Sequence, residues 1–408
     1  MGENNKKAPE IRFPGFSDDW EQRKLGEITD SYSGGTPTAG KTEYYGGDIP
    51  FIRSAEINSD TTELFLTEEG LKNSSAKMVN EGDILYALYG ATSGETGLAR
   101  LNGAINQAIL DIKPHDNYDA AFIMYWLRKS KESIISTYLQ GGQGNLSGTI
   151  VTSLMLHCPS YNEQKQIGEY FQQLDNLITL HQRECETVKK LKQGMLQKMF
   201  PQNGASVPEV RFPGFTDPWE QRKVTELGEI YIGLVTTMTA HYTDHGTLLI
   251  RNSDIKDNHF EFGNKPIYLD DEFANMNSSR KHQIGDVITV HTGDIGTSAV
   301  LTEKEAGSIG FATIVTRPNK ELITPQYLCA YLNTDTHKKF AMGISTGDGR
   351  NNYNLKDYYE CMIPLPSIKE QTKISDYIDT LSRLITLHQR ECDTLKQLKQ
   401  GMLQKMFV

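Results

Sequence analysis

Two stretches of the chain repeat apolar or small side chains every 3.5 residues. In residues 163–200 these are Phe171, Leu174, Ile178, His181, Cys185, Val188, Met195 and Met199, with Lys192 breaking the series. In residues 370–407 they are Ile378, Leu381, Ile385, His388, Cys392, Leu395, Met402 and Met406, with Lys399 breaking it at the matching place. A 3.5-residue period held for about five heptads predicts a long helix with a coiled-coil seam. At a rise of ~1.5 Å per residue, each helix would be roughly 57 Å long. The two stretches are copies of each other, since LITLHQREC stands at 177–185 and again at 384–392. Each helix is therefore the other's expected partner; the alternative is two separate helices, each packed on its own domain. Antiparallel pairing would be pseudo-twofold, with its axis near His181 and His388. Leu177, Leu180, Leu191 and Leu196 widen the apolar face of the first helix, as Leu384, Leu387, Leu398 and Leu403 widen that of the second. That extra width marks them as candidates for binding a partner protein. The i, i+4 pairs His181/Cys185 and His388/Cys392 together make a donor set that zinc accepts. Small, weakly polar residues in a seam are more often simply packed there, and no metal is expected.

A second pair of copies, PEIRFPGFSDDWEQRK at 9–24 and PEVRFPGFTDPWEQRK at 208–223, leads into two divergent blocks. Their FPGF segments read as turns, with Trp20 and Trp219 as packing anchors. The blocks agree only in landmarks. FIRSAEI at 51–57 answers LIRNSDI at 249–255, GDILYALYG at 82–90 answers GDVITVHTG at 285–293, and INQAILDIKP at 105–114 answers IGFATIVTRP at 309–318. Helical-looking stretches follow at 120–130 and 325–335, then Gly/Asn-rich loops. Short β-branched runs punctuated by Gly, Asn and Asp predict mixed sheet with connecting helices. The expected fold is α+β: two α+β domains in tandem repeat, joined by two long helices in an antiparallel coiled coil. The expected division is 1–160 for the first domain with its lead segment, 161–200 for the first helix, 201–366 for linker, lead segment and second domain, and 367–408 for the second helix. Joining the chain's ends would regenerate its middle junction, so the layout is a cyclic tandem of one unit.

A chain of 408 residues has room for two or three domains. Its net charge of −10 argues against coating nucleic acid by bulk charge, so any such contact needs a local basic surface or a partner. Mean hydropathy is −0.49, and no apolar run approaches the ~20 residues of a membrane span. The polar start MGENNKKAPE lacks a signal-peptide core. The five cysteines are widely spaced without a CxxC pair, which points to neither a disulfide framework nor a zinc ribbon. Cytoplasmic residence, without membrane contact, is the expectation.

Residues 35–42, GTPTAGKT, satisfy the Walker A pattern. A phosphate-cradling loop needs an apolar strand before it and a helix opening at its Lys-Thr. Here the approach is polar and the sequel EYYGGDIPFI is turn-rich, so the match reads as chance. No adenine-methyltransferase signature, helicase or nuclease constellation, or Ser/His/Asp set is visible, which leaves a recogniser without a catalytic centre. Groups suited to base edges do stand in the blocks. Arg53 and Arg251 match guanine, while Gln107, Gln143, Asn145, Asn352 and Asn354 match adenine. Arg350, Lys113 and Arg317 suit phosphates. Tyr86, Tyr89 and Thr92 in the first block, with Asn252, His291 and Thr292 in the second, complete the candidate set. Tyr86, Leu88 and Tyr89 stand where Thr289, His291 and Thr292 stand, and Gln107 stands opposite Phe311. Swaps at matched places are what two specificities on one fold would produce. Against this, Asn and Gly also fill turns, and the matched Arg53/Arg251 pair would also serve as a scaffold salt bridge.

The arrangement resembles the DNA-specificity subunit of type I restriction-modification enzymes over nearly its whole length. The resemblance is carried by Ser33-Gly-Gly-Thr-Pro37 with Tyr45-Gly-Gly-Asp48, and by the Gly-Asp pairs at 82–83 and 285–286. It is carried too by Pro159, Glu163, Gln164 and Ile167, and by Pro364-Leu-Pro366, Glu370, Gln371 and Ile374, each set leading into a long helix. The second block departs from the pattern, with GLVTTMT at 233–239 in place of the SGGTP loop. The resemblance implies that each block is a target-recognition domain for one half of a bipartite, asymmetric site in double-stranded DNA, and that the helices act as a ruler. It further implies two methyltransferase subunits as partners and up to two restriction/translocase subunits. Those partners would bring adenine-N6 methylation, S-adenosylmethionine, ATP and magnesium, with no cofactor in this chain. The rival readings are a stand-alone DNA-binding regulator, which would bind specifically by itself, and a coiled-coil scaffold, which would show no sequence dependence.

Overall fold

The structure is a computed structural model that describes residues 8–139, 145–202, 204–345 and 352–408. The two 3.5-period stretches are continuous helices of 38 residues each, Tyr161–Lys198 and Ile368–Lys405. Both open with one device. Glu163 accepts two hydrogen bonds from the Arg12 guanidinium, at 2.7 Å each, and Glu370 accepts two from Arg211, at 2.7 and 2.8 Å. The next residue turns the other way. Gln164 accepts from the Asp119 backbone N–H at 3.0 Å and donates to the Pro159 carbonyl at 2.9 Å. Gln371 accepts from the Thr324 N–H at 2.9 Å and donates to the Pro366 carbonyl at 3.0 Å. One side chain thus fixes the lead segment, and its neighbour fixes the residue that caps the domain's own helix.

The chain forms two compact units: the residues up to Gln182 together with Gln389–Val408, and Arg183–His388. Each unit takes half of each long helix, whereas the sequence-based division kept the helices whole. Within each unit the two halves run antiparallel. In the first, Phe171 and Leu174 near one helix's start share a core with Met406 and Phe407 at the other's end. In the second, Leu196, Met199 and Phe200 share a core with Ile374 and Ile378. The seam lysines are not exposed breaks. Lys192 is 9% exposed and reaches Asp257 at 3.3 Å, while Lys399 bonds Asp175. In the first unit His181 Nδ1 faces Glu391 at 3.2 Å, and in the second His388 Nδ1 faces Glu184 at 3.2 Å. The cyclic layout is visible in one repeated bond: Ile11 N–H donates to the Lys405 carbonyl at 2.9 Å, and Val210 N–H to the Lys198 carbonyl at 2.9 Å.

Each block is a three-layer α+β domain. In the first unit, one antiparallel sheet has the order Thr29–Ser33, Ile109–Pro114, Ile84–Ala87, Thr96–Leu98. A second sheet has the order Phe65–Leu66, Tyr45–Ile52, Gly103–Ile105, Lys77–Val79, with Phe51–Ile52 parallel to Ala104–Ile105. The second unit repeats the first order; its other sheet runs Tyr242–Thr243, Tyr268–Leu269, Thr247–Arg251, Ile309–Phe311, with Ile250 and Arg251 parallel to Gly310 and Phe311. The two-residue alternation of strands sorts the layers. Ile84 and Tyr86 face the helix Ala120–Tyr138, while Leu85 and Ala87 face the other sheet. Val287 and Ile288 divide in the same way. The expected helix at 325–335 stops at Leu332 and a second helix begins at Asp335. Asn333 turns its amide onto the Ser298 and Cys329 carbonyls, and Thr334 caps the new helix by accepting from the His337 N–H. All five cysteines are buried and unbridged. Among the described residues, no helix is long and apolar enough to cross a membrane.

The two Gly-Asp landmarks are scaffold corners. Asp83 accepts from Asn80 N–H and pairs with Lys113 at 2.8 Å, and Asp286 accepts from Gln283 N–H and takes the Arg317 guanidinium through two 2.9 Å bonds. The first domain adds Asp111, wholly buried, where the second has Val315. Neither Asp111 oxygen has a hydrogen-bond partner, and Lys113 stays 3.6 Å away. Burial pushes the Asp111 carboxyl up to about 6. The folded state therefore holds this proton where the unfolded chain has lost it. Stability from this group is complete below pH of about 4 and falls as pH rises toward about 6. Asp111→Asn should then raise the thermal stability of the first unit at pH 7.5 by about 2 kcal/mol and change it little at pH 4. Unfolding scans at the two pH values check this.

Candidate nucleic-acid interface

At one edge of each domain the same backbone frame carries different letters. In the first domain, the strand Ile84–Ala87 continues through Leu88 and Tyr89. Leu146 N–H donates to the Leu88 carbonyl at 2.9 Å, and Tyr89 forms a bridge with Asn145. In the second, Tyr353 N–H donates to the His291 carbonyl at 2.9 Å, and Thr292 forms the bridge with Asn352. A glycine lays the neighbouring loop on this edge. A Cβ on Gly34 would stand 2.0 Å from the Ile105 carbonyl oxygen, and one on Gly233 2.4 Å from that of Gly310. The departure at 233–239 therefore keeps the one residue that the close approach requires.

Two residues beyond each glycine, the loops diverge in chemistry. Thr36 donates its hydroxyl hydrogen to Gln107 Oε1. At the matching places the second domain has Val235, 68% exposed, and Phe311, 37% exposed. The structure thus brings Tyr89, Gln107 and Asn145 together in the first domain, and Asn252, His291, Thr292 and Asn352 in the second. Thr36 and Val235 were not anticipated. Their only signal in the sequence is their place just after the matched glycines.

Within the second edge the bonds form a chain. Asn252 Oδ1 accepts from the His291 N–H at 2.7 Å, while Asn252 Nδ2 donates to the Ala312 carbonyl at 3.1 Å. His291 Nδ1 lies 2.8 Å from Thr292 Oγ1, and Thr292 donates to Asn352 Oδ1 at 2.9 Å. Burial lowers the proton affinity of His291 below the ordinary histidine range. The ring is therefore neutral at pH 7.

Several candidates lie elsewhere or are already engaged. Tyr86 is fully buried in the helix-facing core, so it cannot reach a groove and is withdrawn. Strand parity decides this, because positions 84 and 86 point at the helix. Arg53 binds Glu56 and Glu63 at 2.8 and 2.7 Å, and Arg251 binds Asp254 at 2.7 Å. Both are corner residues, bonding the carboxylate three residues on through side chain and backbone N–H alike. Burial works against the Glu56 charge, yet the Arg53 side chain and the backbone N–H groups hold its carboxyl at about 2. Lys113 and Arg317 are held by Asp83 and Asp286. Thr92 sits in the turn after Tyr89, its carbonyl accepting from Glu95 N–H at 2.9 Å. Asn354 precedes the short helix Leu355–Tyr358 and bonds Asp357 at 3.0 Å. Gln143 and Arg350 lie outside the described residues. Of the leucines offered for partner binding, Leu196 is 7% exposed in the second unit's core, so it is removed from that set. Leu403 packs on the first unit's core. Leu177, Leu180, Leu191, Leu384, Leu387 and Leu398 are all exposed, between 38% and 49%.

Comparison with known proteins places this duplicated frame. The sequence profile described as "Type I restriction modification DNA specificity domain" matches residues 17–190 and again 216–397. The chain is 21% identical over 418 residues to the type I restriction enzyme MjaVIII specificity subunit of Methanocaldococcus jannaschii, covering 98% of this chain and 94% of that one. It is 26% identical over 166 residues to the EcoR124I/EcoR124II specificity subunit of Escherichia coli, covering 38% of this chain and 41% of that one. Among solved structures, the type I S subunit of M. genitalium superposes with a TM-score of 0.66 at 16% identity, covering 98% of this chain and 99% of that one.

Arg251→Ala leaves Asp254, 2% exposed, without its cation. It should destabilise the second unit by about 2 kcal/mol in thermal unfolding. As a corner residue, Arg251 should leave any DNA sequence preference as it was, which a binding selection with the variant would read.

Proposed function

The chain belongs to the type I restriction modification DNA specificity family and is a non-catalytic specificity subunit, and on that basis we propose that each α+β domain reads one half of a bipartite, asymmetric DNA site. The observation that carries this reading is the pair of matched edges, built on one backbone frame and lettered differently. The first edge offers phenol, amides and hydroxyl. The second offers imidazole, hydroxyl, amide and two exposed apolar side chains. Such groups match the donor, acceptor and methyl pattern of major-groove base edges. Two different edges in one chain would read two different half-sites.

The family implies DNA and methyltransferase and restriction partners for this subunit. In our reading, two methyltransferase subunits dock on the exposed leucines of the long helices, and up to two restriction/translocase subunits join them. S-adenosylmethionine, ATP and magnesium belong to those partners, which methylate adenine N6 or cleave, and none belongs to this chain. The net charge of −10 fits this division, because the partners then supply most of the phosphate contacts and counterion release. The reading places the subunit in the cytoplasm, with the chromosome.

Exchange of residues 30–158 for the corresponding block of another specificity subunit should change one half-site and leave the other intact. Single-molecule methylation mapping of a host carrying the complex reads this directly. A change in both halves, or in neither, would overturn the modular reading. Separately, the double substitution Leu180→Lys and Leu387→Lys should weaken association with the methyltransferase subunits at least tenfold in a pull-down titration. Both side chains are 49% exposed, so the thermal midpoint of the free chain should move little.

A further inference from the structure

The bonds around His291 determine what that ring presents at the edge of the second domain. Thr292 has one hydroxyl hydrogen, and it goes to Asn352 Oδ1, which can only accept. Thr292 Oγ1 must then accept from His291 Nδ1, 2.8 Å away. The ring hydrogen is therefore on Nδ1, and in a neutral imidazole the other nitrogen is a bare acceptor. Among the described residues Nε2 has no hydrogen-bond partner. The backbone of His291 is fixed at both ends, its N–H by Asn252 Oδ1 at 2.7 Å and its carbonyl by Tyr353 N–H at 2.9 Å. Asn252 is in turn anchored on the Ala312 carbonyl at 3.1 Å. Ala312 has a positive φ of 49°, which makes this corner a specific backbone shape rather than a loose turn. The ring is thus held through its backbone and Nδ1, and its hydrogen is assigned, before any ligand arrives.

We propose that His291 is a specificity-determining residue of the second domain, its Nε2 accepting a hydrogen bond from the exocyclic amino group of a base: adenine N6 or cytosine N4. The proposal rests on the reading of each edge as a half-site reader. In the major groove only these two base edges donate, whereas guanine offers O6 and N7 and thymine offers O4. At one position of the second half-site, the strand facing His291 therefore carries A or C and excludes G and T. Thr292 and Asn352 act as positioning residues, because they set the tautomer without touching the base. Leu88, 4% exposed, stands at the matching place in the first domain, so this contact has no counterpart in the other half-site.

The test uses this chain assembled with its methyltransferase subunits, on duplexes bearing the motif found by methylation mapping. Each adenine of the second half-site is replaced in turn by purine, and each cytosine by pyrimidin-2-one, which removes the amino group alone. One such replacement should weaken binding by the native complex about tenfold, and His291→Phe should bind native and replaced duplexes alike. Replacements in the first half-site should weaken both complexes equally. If the native complex tolerates every amino deletion in the second half-site within twofold, the proposal fails; this arm needs no variant to fold. It also fails if His291→Phe keeps the full sensitivity. Absence of any bipartite motif in the native mapping would instead overturn the half-site reading itself. Thr292→Val, which cannot pass the hydrogen bond on, should lower the penalty for the deleted amino group while leaving the thermal midpoint near the native value; an unchanged penalty would overturn the relay.

Discussion

The structure depends on a two-residue step at the start of each long helix. Glu163 and Glu370 are 1% exposed, and a carboxylate that deep is tolerable only with a matched cation and complete hydrogen bonding. Arg12 and Arg211 supply both with planar, two-bond geometry. The adjoining glutamine donates to the chain just before the helix and accepts from the cap of the domain helix. Lead segment, domain and long helix therefore meet at one point, and that point recurs in each unit. A charge pair of this kind has strict geometry, so it orients its parts as well as holding them.

From that mount outward, charge is assigned before any ligand is met. Arg53, Arg251, Lys113 and Arg317 stand at matched places in the two domains, and each is paired with a carboxylate of its own corner. These cations shape turns. What varies between the domains is smaller and less charged: Thr36 against Val235, Gln107 against Phe311, Tyr89 against Thr292. Neutral groups in a fixed frame suit discrimination between bases, whereas affinity for a polyanion needs free positive charge. The proposed division between a reading chain and partners that hold the DNA agrees with where this chain has placed its charges.

Much of this was legible in the one-dimensional pattern. The seam period, the copied helices, the matched landmarks and the cyclic junction needed only spacing and repetition; the two seam lysines, read as breaks, instead lie covered and paired. The candidate site was legible in part. His291, Thr292, Asn252 and Asn352 could be named from matched positions, and so could Tyr89, Gln107 and Asn145. The candidates that moved did so for reasons of parity and partnership. Tyr86 is enclosed in the helix-facing core. Leu196 lies where the helix meets the second unit's core. Arg53 and Arg251 fall to the scaffold salt-bridge reading, each pairing with a carboxylate three residues on.

The sequence by itself determined the duplicated architecture and the helical frame, because periodicity and repetition are local properties that any segment carries with it. Which groups face outward, and with which hydrogen on which atom, was decided only by the tertiary structure. The acceptor character of His291 depends on Asn352, sixty-one residues away, through a threonine with one hydrogen to give. Hydrogen-bond direction is a property of a closed set of partners, and that set exists only once the chain has folded.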